Sequence, residues 1–407
     1  MDRRDFLKST SAAGALTLLP LAQLAGADAG GRGADGAQLG TESGRAYADL
    51  ARTLQEVEAE YLSARRGITR AGDISDGHRF ILHVLQTGLF LRFEFDSERP
   101  SFRRIVSPTR KLLGDNPDAL YFESPIRGDR RYRIRGNTAG AVYTSYTVEA
   151  GGQEGGYPER TDGAINDTEM KIGEDGSYEI LLGPDVSGPN TVRLPADART
   201  VTTRSYFESV RSAAADQLKV VPVEIVPVED PGPAPTPDDA SIARSIRRVI
   251  AYLRGTTVDQ PLRTAGNQPD WVSLVPNQFN PPDKPAGMAF AAPDNAYASA
   301  PYVLRPDQAL VMEGRFPRCR FSSVSLWSRY LQSYDYASRQ ISLNRAQTKL
   351  QTDGSYRIVV AASDPGVPNW IDTGGRPSGL VYWRFLLPEG KIETPRARVE
   401  PLSELRG

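Results

Sequence analysis

Asp294 and Asp372 are the carboxylates in this chain that could cut a glycosidic bond, one as acid and one as base. Trp370, Asn369, Tyr297, Arg384 and Trp327 are the residue types that hold a sugar: aromatic faces stack on its ring, and Asn and Arg bond its hydroxyls. Each has a blander reading. Asp294 lies in Pro293-Asp294-Asn295-Ala296-Tyr297, and the same Pro-Asp-x-x-Tyr pattern recurs at Pro117-Asp118-Ala119-Leu120-Tyr121. An aspartate in such a place usually bonds its own backbone in a turn. The aromatics, joined by Tyr330, Tyr334, Tyr336 and Trp383, equally suit a sandwich core with cross-strand pairs. Trp370, beside Asn369, Asp372 and Gly374-Gly375, is expected on a loop, where binding sites concentrate.

Other chemistries are poorly served. One cysteine, Cys319, and two histidines, His78 and His83, argue against disulfide frameworks, cysteine–zinc sites, iron–sulfur clusters and multi-histidine copper sites within one chain. The two histidines fall about 140° apart on one helix and do not converge. Cys319 reads as a small buried residue. Calcium held by loop carboxylates is compatible with the composition, and no other metal or cofactor is expected. Lys and Arg number 49 against 50 Asp and Glu, with no basic block, so nucleic acid is not an expected partner.

Met1-Asp2-Arg3-Arg4-Asp5-Phe6-Leu7-Lys8, the weakly apolar run Ala12–Leu24 and Ala25-Gly26-Ala27 read as a twin-arginine export signal over residues 1–27. The run is too short for a permanent span, so a periplasmic or extracellular protein is expected. Residues 28–44 read as a disordered spacer and 45–98 as helices. Tyr47, Leu50, Leu54, Val57 and Tyr61 have helical spacing, and Asp76 is the expected cap of a second helix. From Leu120 the pattern alternates. Val142, Thr144 and Tyr146 fall on one strand face, and Tyr143, Ser145 and Thr147 on the other. A first β unit is expected over 99–220, a Pro-rich linker over 221–239, a helix capped by Asp239 over 240–256, and a second β unit over 257–400.

The two β stretches match in order. The Pro-Asp-x-x-Tyr pairs are followed by Asp175-Gly176-Ser177-Tyr178 against Asp353-Gly354-Ser355-Tyr356, Pro189-Asn190 against Pro368-Asn369, and Arg204 against Arg384. Subtracting paired numbers gives offsets of 176, 178, 179 and 180, a drift that small loop insertions produce. The expected fold is therefore mainly β with a few helices: two tandem antiparallel, jelly-roll-like sandwiches, each preceded by helix.

Ser325-Leu326-Trp327, the Asp353-Gly354-Ser355-Tyr356 hairpin, Asn369-Trp370-Ile371 and the strand with Arg384 together resemble the domain-of-unknown-function family numbered 1214. The resemblance covers about residues 320–390. It is weaker over 140–210, where Thr191 replaces the tryptophan. It implies jelly-roll sandwiches similar to those of viral coat proteins and an exported peptide-glycan amidase, and it implies no activity. Two readings follow: an exported protein that binds or hydrolyses a glycan through its second unit, or a non-catalytic structural or assembly module of the envelope.

Overall fold

Thr41 opens the first helix by accepting a hydrogen bond from Gly44 N at 3.0 Å. The computed structural model describes residues 40–262, 264–285 and 288–405. The export signal and most of the spacer read from the sequence lie outside them. Helices α1 (Glu42–Tyr61), α2 (Ala71–Gly88, continued by a π-helical turn Leu89–Phe93) and α3 (Asp239–Thr256) gather into one cluster. Val57, Phe80, Val84 and Leu253 form its dry centre. The helix before the second β unit therefore packs with the N-terminal pair. Asp238, not Asp239, caps α3, accepting from Ser241 N at 2.8 Å. Asp239 turns instead to α1 and accepts from Glu42 N and Ser43 N at 2.8 and 3.1 Å. Helix α2 starts five residues before the expected cap: Asp76 lies inside it, paired with Arg376 at 3.0 Å.

The strands follow in chain order: β1 Arg103–Arg104, β2 Ala119–Pro125, β3 Tyr132–Asn137, β4 Tyr143–Ala150, β5 Arg160–Asn166 and β6 Ser177–Gly183. Next come β7 Thr191–Arg193, β8 Ala198–Tyr206 and β9 Val223–Pro227. After α3 come β10 Asn295–Val303, β11 Gln308–Gly314, β12 Phe321–Trp327 and β13 Ser342–Asn344. The last four are β14 Tyr356–Ala361, β15 Trp370–Asp372, β16 Ser378–Leu386 and β17 Arg396–Pro401. They build four sheets. The first pair has the orders β1-β2-β8-β4-β5 and β7-β6-β3-β9, the second β10-β16-β12-β13 and β15-β14-β11-β17. Apart from β1 the orders match strand for strand, including one parallel edge pair in each, β6–β7 and β14–β15. Tyr146, Val148 and Val201 meet Ile134, Ile180 and Ile225 in the first core; Val324, Val381 and Trp383 meet Leu310, Met312 and Ile358 in the second.

Local chemistry repeats with the topology. Asp175 and Asp353 each accept from the backbone N of the serine two residues on, at 3.0 and 2.9 Å, and Gly176 and Gly354 take φ near +80°. The first residues of the expected linker are strand β9, hydrogen-bonded to β3. The rest is pinned by Arg99, which donates to the carbonyls of Gly232 and Pro233 at 2.9 and 2.8 Å.

Asn190 and Asn369 sit at φ +53° and +62°, a region an L residue avoids unless its short side chain is bonded locally. Asn369 donates to Lys349 O and Arg357 O at 2.8 and 2.9 Å and accepts from Lys349 N at 2.8 Å. Asn190 repeats all three bonds with Lys171 and Glu179. Asn369→Ala should cost roughly 2–4 kcal/mol in urea unfolding, and Asn369→Gly less, because glycine retains the backbone and loses only the bonds. Equal costs would mean that the backbone conformation contributes nothing.

Candidate functional site

The large sheets of the two sandwiches meet through their outer faces. Ala119, Tyr143 and Tyr206 pack on Phe321 and Leu386 at the centre of that contact. Every residue of β4 and of β12 is consequently buried. Beside this centre the register aligns Tyr121, Arg204, Ser145 and Asn166 in one row across β2, β8, β4 and β5. It aligns Tyr297, Arg384, Ser323 and Asn344 in a matching row across β10, β16, β12 and β13. The same four side chains thus occur in both sandwiches, on the two faces that look at each other.

The ends of the rows cross over. Asp294, at the start of β10, accepts from Tyr143 Oη and, at 3.1 Å, from Asn166 Nδ2 of the first sandwich. Asp118, its counterpart before β2, lies beside Asn344 of the second. These carboxylates therefore reach across the interface, in place of the turn bonds expected from Pro-Asp-x-x-Tyr. Asn344 and Ser212 stand close enough to Asp118 to favour its charge, but neither makes a well-formed hydrogen bond to either oxygen. Asp118 is therefore poorly solvated. Burial outweighs these neighbours and Arg384 and pushes its pKa up to about 7.

Both row arginines are about 3% exposed. Arg204 donates to Thr147 Oγ1 at 2.7 Å and to Phe290 O at 2.8 Å. Thr147 in turn donates to Glu149 at 2.9 Å, so that carboxylate reaches Arg204 only through a hydroxyl. Arg384 donates to Ser325 Oγ at 3.2 Å and to Gly114 O at 2.6 Å, with its guanidinium 4.8 Å from the Trp327 ring and 4.7 Å from that of Tyr382. Neither arginine has a carboxylate within ion-pair distance among the described residues. Ser145 stands near the Tyr143 phenol, yet neither Ser145 Oγ nor Ser323 Oγ has a well-formed hydrogen bond, and both are buried. Trp271 from the preceding loop, Tyr297, Tyr382 and Trp327 form an aromatic run with centroid steps of 5.3, 5.3 and 4.0 Å.

Next to this layer, Lys111 points its Nζ at Ser333 Oγ (2.9 Å) and Tyr334 O (2.7 Å), 3.6 Å from the centre of the Tyr336 ring. Asp115 accepts from Ser333 Oγ and from Ser333 N, and Trp327 Nε1 donates to Asp115 O at 3.0 Å. Burial pulls the Lys111 amine down to about 8, against the attraction of Asp115. An amine beside a hydroxyl can activate a nucleophile, but here the Ser333 hydroxyl donates to Asp115 and Lys111 is also held by Tyr334 O, so the trio sews the 105–116 loop to the 328–336 loop. No motif marks it in the sequence, because Ser333 is more than 200 residues from Lys111 and Asp115. Lys111 N also donates to His83 Nδ1 at 3.3 Å, whereas His78 lies 3.4 Å from Glu58, so the histidines do serve separate places.

The residues singled out in the sequence divide into two groups. Tyr297, Trp327 and Arg384 join in the layer, with Asp294 at its end. Asn369 directly precedes edge strand β15 in the other sheet of the second sandwich, and Trp370 and Asp372 are its two ends, so Trp370 is on a strand paired with β14 and not on the expected loop. There Trp370 Nε1 donates to Ala361 O at 3.1 Å, and Asp372 accepts from Arg339 at 2.6 Å and from Gly374 N at 2.6 Å. The two aspartates thus stand in different sheets. Cys319 is half-buried, its thiol raised to about 11 chiefly by burial. Among the described residues no group of three or more His, Cys, Asp or Glu is placed to hold a metal, and no helix is long and apolar enough to cross a membrane.

Residues 1–20 match the twin-arginine translocation pathway signal sequence, which directs the chain across the cytoplasmic membrane. No curated protein matches the chain. A crystal structure of an uncharacterised protein from Burkholderia cenocepacia is similar to it, with 25% identity and a TM-score of 0.75, covering 89% of this chain and 98% of that one. A protein from Vibrio parahaemolyticus aligns with 13% identity and a TM-score of 0.46, over 79% of this chain and 98% of its own. The chain is an exported, mainly β protein that is similar in fold to an uncharacterised bacterial protein along almost its whole length.

Proposed function

We propose that the chain carries two copies of the unit met in the 1214 family of unknown function, and that it acts beyond the cytoplasmic membrane by binding a saccharide. Matching strand orders, the repeated asparagine staple and the repeated Tyr-Arg-Ser-Asn row support the two copies. The ligand is held in the layer between sandwiches, on the side of the second one. The observation that carries this is the run Trp271–Tyr297–Tyr382–Trp327 with the Arg384 guanidinium lying on it. Aromatic faces take the C–H faces of a sugar, while a guanidinium and free hydroxyls bond its hydroxyl groups. Hydrolysis is not part of this reading. A glycosidase needs two carboxyls about 5–10 Å apart across one bond, whereas Asp294 and Asp372 belong to different sheets and each is tied to protein partners.

A thermal-shift screen of the chain without its signal, against oligosaccharides and peptidoglycan fragments, tests it. One saccharide class should raise the melting temperature, and Trp271→Ala should weaken that binding about tenfold, roughly 1.4 kcal/mol. The rival assembly reading draws on Val210, Leu218 and Val220, apolar residues more than 70% exposed on one loop region. A chain that ignores every saccharide and oligomerises in light scattering would favour it.

A further inference from the structure

The two rows meet a demand that a neutral sugar would leave half answered. Burying a guanidinium costs several kcal/mol unless an anion and further hydrogen bonds compensate it. Elsewhere the fold follows that rule: Arg92, equally buried, is paired directly with Glu123. Arg204 and Arg384 have no direct ion pair of this kind: Glu149 reaches Arg204 only through the Thr147 hydroxyl, and Asp118 attracts Arg384 without a hydrogen bond to it. Their internal partners are two hydroxyls and two carbonyls. The row hydroxyls Ser145 Oγ and Ser323 Oγ are buried without a well-formed bond, and buried polar atoms left so normally have a use. Tyr121 and Tyr382, in the same layer, keep partly accessible surface although most residues around them are closed. Cation and orphan hydroxyl occur together in both rows, so the coincidence happens twice. A planar guanidinium fork matches a carboxylate, and a neighbouring hydroxyl completes its set of donors.

The geometry points to a site for an acidic saccharide, a uronate, whose carboxylate is taken by Arg204 or Arg384 with Ser145 or Ser323, while its ring lies against the aromatic run. This rests on the saccharide-binding reading and narrows it to a charged class. The Lys111 trio is not part of this site, because the Ser333 hydroxyl there is already bonded both to Lys111 Nζ and to the Asp115 carboxylate, so no hydroxyl is left over.

Calorimetric titration of the full chain, freed of its signal, with glucuronate and galacturonate oligomers tests the site beside three controls: the neutral hexose oligomers, acetate and inorganic phosphate. The expected result is binding of a uronate at least tenfold tighter than any control. Equal binding of neutral and acidic sugars overturns the inference and leaves the saccharide reading standing. Phosphate or acetate binding as tightly as the uronates overturns both, since the ring then contributes nothing. Arg384→Lys keeps the charge and loses the fork, and it should weaken uronate binding tenfold or more. Because that variant could simply unfold, Ser145→Ala with Ser323→Ala is the second probe. These hydroxyls have no well-formed internal bond, so the ligand-free melting temperature should hold or rise while uronate affinity falls about tenfold. Unchanged affinity in a folded double variant overturns the assignment.

Discussion

Arg92→Met should destabilise the protein by about 3–5 kcal/mol, and adding Glu123→Leu should recover most of the loss. Arg92 belongs to the π-helical turn after α2, and Glu123 to β2 of the first sandwich; both are about 3% exposed. Their ion pair is one direct tie between the helical cluster and the β body. The guanidinium also lies 4.9 Å from the centre of the Tyr252 ring on α3, and the Arg92 carbonyl accepts from Arg248 at 3.0 Å. Methionine fills much of the arginine's space but leaves the Glu123 carboxylate buried without its cation. The penalty is the uncompensated charge, not the lost contact. With leucine opposite, nothing is left to solvate. Urea unfolding of the three proteins separates the terms. A single variant within 1 kcal/mol of wild type would show that water reaches the pair.

Elements whose cause is local were legible in the sequence. Asp175-Gly176 and Asp353-Gly354 form the turns that the dipeptide favours, and the period-two runs around Tyr178 and Val201 are strands β6 and β8. What escaped has long-range causes. The alternation across Val142–Thr147 separates two strand faces without telling which is covered, and β4 is buried on both, because the second sandwich packs on the face that carries Tyr143. Helix α2 begins after Arg70 with no side-chain cap, so no residue marks its start. Asp76 has the right type to cap a helix but is committed to Arg376, 300 residues away.

The site was legible to the same extent. Matching Arg204 to Arg384 by offset identified a shared residue, but only the pairing register set Tyr121, Ser145 and Asn166 beside the first and their equivalents beside the second. Trp370 and Asn369, close in sequence to Asp372, read as a loop cluster, yet Trp370 and Asp372 belong to strand β15. In the fold that asparagine is a backbone staple, repeated where the first sandwich has Thr191 in place of tryptophan. Asp118 matched Asp294 by pattern, but nothing local distinguishes the aspartate that faces Tyr143 and Asn166 from the one left poorly solvated.

That difference sets the pH dependence. Asp118 is fully buried, and its pKa rises from 3.8 to about 7 through burial, against Asn344, Ser212 and Arg384 and reinforced by Glu208. The folded state therefore holds a proton that the unfolded state releases between pH 4 and 7. Stability from this group is full below the unfolded pKa and is lost as pH rises through the folded one. His83 acts in the opposite sense. Burial first, then Arg79, Lys111 and Arg110, depress its pKa to about 4, so its contribution is lost as pH falls from about 6.5 to 4. Asp118→Asn is close in shape and cannot ionise, and the comparison with wild type cancels His83. The asparagine variant should gain on wild type by roughly 2–3 kcal/mol between pH 5 and pH 8, since about two of the three shifted pH units fall in that interval. Urea unfolding at both pH values measures the difference. A gap that does not change with pH would mean that Asp118 ionises in the folded protein as readily as in the unfolded chain, and that water enters the interface beside Arg384.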